Sequence, residues 1–158
     1  MNRTLNKIGL VFLIFVLTSC SYSPIFSEKN YNFQLSEIIF TGEKDINKFI
    51  KENFNRIKSS SDLEKNKYKL LINSKEKRNI VSKDSKGDPL KFELIVTVEY
   101  EISNNEKLLL KKIIQKNNIY NNDSDLFKLE QSEKIIIENI SGNISDNIIS
   151  SIINLNDN

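Results

Sequence analysis

The chain has 158 residues, 23 Lys and Arg against 21 Asp and Glu, and 39% hydrophobic content, which is the size and apolarity of one compact domain. Its apolar residues are too many for a disordered chain, and its 4 Gly and 2 Pro are too few for a collagen-like or linker sequence. It holds no His and a single Cys, Cys20, so imidazole catalysis, a Cys–His pair, an intrachain disulfide and a Cys/His zinc site are all excluded.

Residues 1–7 are basic without acids, Ile8 to Leu17 are nearly all apolar, and Leu17-Thr18-Ser19-Cys20 follows at once. That succession is a secretory n-region, h-region and cleavage site, and residues 1–19 are expected to be removed as a signal peptide. As a helix the apolar run reaches only about 15 Å, roughly half the hydrocarbon thickness, which argues against a permanent span. Leu17, Thr18 and Ser19 ahead of Cys20 resemble the lipobox of bacterial lipoproteins. The resemblance implies cleavage before Cys20 and a thioether from its sulfur to a diacylglyceryl group. Each buried CH₂ contributes about 0.8 kcal/mol, so two or three acyl chains make a lasting membrane anchor. Loss of residues 1–19 takes away Arg3 and Lys7 from the 23 bases and no acid, leaving 21 against 21 and a net charge of zero. The basic footprint of a nucleic-acid binder is therefore absent from the mature chain, and no nucleic-acid partner is expected. Ser21 stands where an aspartate often retains lipoproteins at the inner membrane, which points to the outer membrane with the domain facing the periplasm.

Residues 20–30 read as the lipidated Cys and an extended tether containing Pro24, and residues 31–158 as one domain. Tyr31 to Phe40 reads as a first strand, broken by Thr41-Gly42. From Asp45 to about Lys58, Ile46, Phe49, Ile50, Phe54 and Ile57 recur at three and four residues, which predicts a short amphipathic helix. Lys67 to about Lys83 begins with Tyr68, Leu70 and Ile72 in alternation and predicts a strand, ended by a turn around Gly87-Asp88-Pro89. Leu90, Phe92, Leu94, Val96, Val98, Tyr100 and Ile102 occupy every even position of the next stretch, a strand with one dry and one wet face. Ser103 to Glu106 is turn chemistry, and Lys107 to about Tyr120 completes a hairpin. Residues 121–124 offer N-cap oxygens before a helix of up to roughly thirty residues, in which Leu126, Leu129, Ile136, Ile140, Ile144, Ile148 and Ile152 recur mostly every four. The order β-α-β-β-β-α predicts an α+β two-layer sandwich, with both helices on the apolar face of a sheet of about four strands.

No enzymatic constellation emerges from these elements, and the chain is expected to be no enzyme. Asn121-x-Asp123-x-Asp125 begins like a calcium loop, but Leu126 stands where the turn needs Gly, so capping is the expected role. Glu93, Glu99 and Glu101 alternate with apolar residues as a solvated sheet face does. Lys75, Lys77, Arg78, Lys91, Lys111 and Lys112 could meet phosphates as point charges, or simply solubilise the sheet and guard its edges.

Taken together, Cys20-Ser-Tyr22-Ser-Pro24-Ile25-Phe26, Ile39-Phe-Thr-Gly42, Asp88-Pro-Leu-Lys91 opening the long alternating strand, Tyr120-Asn121, and the long closing helix resemble the LptE family of lipopolysaccharide-assembly lipoproteins. The resemblance implies a non-enzymatic plug and assembly partner of an LptD-like outer-membrane β-barrel, without cofactor or metal, in lipopolysaccharide transport to the outer leaflet. It further implies lipidation at Cys20 and a lipopolysaccharide contact at Lys91, where Lys lacks the bidentate fork of the family's more usual Arg. A basic residue on the closing helix of relatives has no matching position here, Glu138 and Lys134 being the nearest. The competing reading is an auxiliary lipoprotein of another envelope lipid-transport complex.

Overall fold

In the computed structural model, residues 33–56 and 66–156 are described. The signal peptide, the lipobox residues Leu17, Thr18 and Ser19, Cys20 and the tether lie outside them. The elements are β1 (Phe33–Gly42), α1 (Lys44–Asn55), β2 (Asn66–Lys83), β3 (Pro89–Asn104), β4 (Lys107–Asn121) and α2 (Leu126–Asn156). The sheet order is β1-β2-β3-β4. β1 runs parallel to β2, while β2–β3 and β3–β4 are antiparallel. The expected α+β sandwich is thus realised as a mixed sheet, with α1 in the crossover that a parallel pair requires.

The alternation read in β3 places its even residues toward the helices. Leu94, Val96, Val98 and Ile102 are wholly buried there and meet Leu70 and Ile72 of β2. Ile46 and Ile50 of α1 and Ile144, Ile148 and Ile152 of α2 close over them in one continuous cluster, so both helices share the same sheet face. Each such side chain contributes about 1.5–3 kcal/mol on leaving water, which offsets the modest helix propensity of the Ile-rich closing helix. Where α1 meets α2 the surface of α2 is built of small residues. Ser141 and Ser145 are fully buried, the Ser145 hydroxyl donating to the Ser141 carbonyl at 2.8 Å, and Asn53 of α1 lies beside Gly142.

Three boundaries differ from the sequence reading. Thr41-Gly42 does not break β1 but ends it in register, Gly42 pairing with Ser74. Gly42 has φ +89°, and its α-carbon passes so close to the Ser74 carbonyl that no side chain fits. Ser74 itself takes an inward position of β2 as a buried hydroxyl, 2.8 Å from Asn47 Oδ1, while Asn47 Nδ2 donates to the Thr41 carbonyl at 3.0 Å. A polar residue suits this point because the Ser74 hydroxyl also lies 3.4 Å from the Thr41 carbonyl and 3.2 Å from the Glu43 carbonyl, where β1 hands over to α1. The β3–β4 turn shrinks to Asn105 and Glu106, both in the left-handed region at φ 48° and 67°, as a two-residue turn of the primed type demands. The cap of α2 is Asp125, whose carboxylate accepts from the Phe127 amide at 3.1 Å, because Asn121 still belongs to β4 and Asn122 donates to the Leu90 carbonyl. Asp123 accepts from the Asp125 amide at 2.9 Å, so the apparent start of a calcium loop is capping chemistry.

Candidate functional site

Beyond Ser74 the inward-facing positions of β2 change from apolar to polar, and Glu76, Arg78 and Ile80 follow opposite Val96, Leu94 and Phe92. The guanidinium of Arg78 lies 3.8 Å from the centre of the Phe92 ring, and its Nη1 is 3.1 Å from Glu133 Oε1 on α2. Tyr120 of β4, stacked beside Phe92 at 5.8 Å between ring centres, donates its hydroxyl to the same oxygen at 2.5 Å. One carboxylate therefore ties β2, β4 and α2 together across β3. Burial pushes the Tyr120 phenol above its ordinary range, and the hydrogen bond to Glu133 and the charge of Glu133 add to the effect. Glu76 is raised as well, by desolvation first and then by the negative charges of Glu43, Glu133 and Asp45, with Arg78 opposing.

The opposite, helix-free face carries a different pattern. Lys111 of β4 bridges Glu99 at 2.8 Å and Glu101 at 2.7 Å. Those hydrogen bonds hold the Lys111 ammonium well above its usual range, and Lys111 in turn lowers Glu99. Glu93 accepts from Asn117 at 2.6 Å and from Asn79 at 3.4 Å, and Glu37 pairs with Lys69 at 2.7 Å. Of the three carboxylates considered for acid–base chemistry, Glu99 and Glu101 thus share Lys111, and Glu93 is held by two amides, all on the helix-free face. Among the described residues, no group of three or more His, Cys, Asp and Glu could hold a metal ion, and no helix is long and apolar enough to cross a membrane.

The six basic residues singled out in the sequence are divided by the register. Lys75, Lys77 and Lys111 lie opposite Thr97, Ile95 and Glu101 on the helix-free face, whereas Arg78 and Lys112 lie opposite Leu94 and Tyr100 on the helix side. Lys91 sits at the start of β3, exposed, with Ser82 and Asn121 as its cross-strand neighbours. It stands apart from the Arg78–Glu133 group because adjacent strand residues face opposite ways. The sequence reading missed Tyr120 and Glu133 as a unit. Its available signal was parity, since Arg78 and Tyr120 fall on the strand positions that elsewhere face the core.

Between the helices, Glu52, Asn53, Arg56, Glu138, Asn143 and Asp146 line an open polar groove of about 310 Å³ floored by Gly142. Its walls hold mixed charge and amides.

No family model and no curated protein sequence matches the chain. Solved structures do. Rare lipoprotein B from Shewanella oneidensis superposes with a TM-score of 0.56 at 19% identity, covering 75% of this chain and 95% of that one. An uncharacterized lipoprotein B from Nitrosomonas europaea gives a TM-score of 0.53 at 15% identity, with 77% and 84% covered. A minor lipoprotein from Acinetobacter baumannii gives 0.50 at 16%, with 75% and 94% covered. At such identities the likeness is one of fold, and the fold of this chain is that of these lipoproteins. Rare lipoprotein B is LptE, so the structures sharing the fold include the family that the sequence resembles.

Proposed function

We propose that the chain is a non-enzymatic, lipid-anchored lipoprotein of the LptE type, the plug and assembly partner of an LptD-like β-barrel in lipopolysaccharide transport across the outer membrane. The observation that carries this reading is the likeness of fold to rare lipoprotein B over 95% of that chain, in a sequence that opens on an h-region and a lipobox. Lipidation of Cys20 would hold the domain against the periplasmic leaflet, with two or three acyl chains making the tether lasting. Ion pairs and an amide contact tie down Glu93, Glu99, Glu101 and Lys111 on the sheet's helix-free face, which suits the wet, polar wall of a barrel lumen. The Glu133 group bonds the closing helix to β2 and β4, and the shared core packs it on the sheet, which suits a domain that docks as one unit. Lys91, exposed at the sheet end, would offer one positive point charge to a lipid phosphate.

The test is depletion of the chain in the bacterium that produces it. The proposal expects the large barrel to accumulate misassembled and surface lipopolysaccharide to fall, with both restored by the wild-type chain. Normal barrel assembly and normal surface lipopolysaccharide after depletion would contradict it.

A further inference from the structure

We propose that the free edge of β4 is a docking site for an extended strand from a partner protein, one that is acidic where β4 is basic. β4 is the outermost strand of the sheet, and its register with β3 is continuous from Asn121 to Leu110. The only irregularity falls at the hairpin end, between Ile102 and Ser103. Those residues leave roughly 40 Å of unpaired N–H and C=O groups along the outer side of β4. The other edge of the sheet, β1, is interrupted by a bulge between Leu35 and Glu37 and carries Glu37. β4 has no bulge over that stretch, no Pro and no acid. It exposes Ile113 at 64% and Ile119 at 55%, on the face where they neighbour Glu99 and Glu93.

The occupant follows from charge. β4 carries Lys107, Lys111, Lys112 and Lys116, of which Lys111 is bound by Glu99 and Glu101 while the others form no ion pair among the described residues. Pairing of this edge with the same edge of a second copy would set lysines against lysines, and like charges on facing strands are destabilising. The lysines therefore close the edge to its own kind and leave it open to a strand alternating acidic and apolar side chains. Main-chain hydrogen bonds would supply affinity, with side-chain charge supplying selection. This docking stands whether or not the partner is a barrel.

The test is amide hydrogen exchange on the full chain in detergent, with a synthetic peptide of about twelve residues alternating Glu and Val as the probe. In the free chain every second β4 amide faces solvent and exchanges fast, the others being paired to β3. The proposal expects the probe to slow those outward amides, and the same peptide N-methylated at alternate residues, or a Lys–Val peptide, to leave them unchanged. Lys112→Glu with Lys116→Glu, checked for fold by circular dichroism, should weaken Glu–Val binding about tenfold and admit the Lys–Val peptide. Unchanged β4 exchange with the probe, or equal protection by the N-methylated peptide, would overturn the proposal. Outward amides already protected without peptide in a manner that depends on protein concentration would replace the acidic partner with a second copy and also overturn it.

Discussion

Arg78 and Tyr120, on strands that are not neighbours, meet at one oxygen atom, Glu133 Oε1, at 3.1 and 2.5 Å. Half-exposed ion pairs contribute little alone, but here a stacked guanidinium and a partly buried phenol share a single acceptor, so the groups are coupled.

Tyr120→Phe should cost about 1 kcal/mol, since Arg78 still satisfies Glu133, whereas Glu133→Ala should cost about 2 kcal/mol by leaving both donors without their acceptor. Urea unfolding of the two variants and the wild type measures this. The phenol also sets an alkaline limit. Its folded pKa is raised above the ordinary 10.0, so its contribution is complete below that value and is lost as pH rises toward the folded pKa. Tyr120→Phe should abolish that part of the alkaline decline.

Glu76 works in the opposite sense for the protein at neutral pH. Its folded pKa is raised above the ordinary 4.5, so the group favours the fold when protonated, and that contribution is lost as pH rises through the folded value. Glu76→Gln should raise stability at pH 7, and the gain should shrink as pH falls through the window above 4.5. Thermal melts at pH 4 and pH 7 read the sign directly, and equal effects at both would show that charge at Glu76 is irrelevant.

Two glycines should respond with opposite signs. At Gly42, φ of +89° and the adjoining Ser74 carbonyl leave no room for a methyl group, so Gly42→Ala should destabilise by about 3 kcal/mol or more. At Gly142 a β-carbon would meet only Asn53 Nδ2, at 3.9 Å, so Gly142→Ala should stabilise α2 by about 0.5–1 kcal/mol. Both are measured by chemical denaturation.

These contrasts separate what the sequence displays from what it conceals. The period-2 pattern of β3 and the four-residue recurrence of Ile in α2 are local, and they placed Leu94 to Ile102 and Ile140 to Ile152 in the core correctly. Strand order and the parallel pairing of β1 with β2 are not local, because they depend on which edge accepts β1 after α1 has crossed over. The sequence reads Gly42 as a strand breaker, yet β1 there passes tightly against the Ser74 carbonyl of β2, a requirement visible only once Ser74 is beside it. The Arg78–Glu133–Tyr120 group draws on elements spread from residue 78 to residue 133, and each member alone looks like a surface residue. Lys91 was placed at the head of the third strand and is found there, while its role toward lipid belongs to the proposal.

Under the proposed lipidation, Cys20→Ser should remove the acyl anchor while leaving the sequence from β1 onward, which begins at Phe33, unchanged. Fractionation should move the variant from the envelope to the soluble periplasmic fraction, and metabolic labelling with a fatty acid should disappear. A variant that is still labelled would refute lipidation at this residue.

The most direct test of the central claim is co-purification of the tagged full-length chain from detergent-solubilised envelopes, with mass spectrometry after a high-salt wash. The account predicts a large outer-membrane barrel with a periplasmic domain, retained near one to one. Recovery of an inner-membrane transporter or a soluble carrier with no barrel would contradict it and place the chain in another envelope lipid-transport complex.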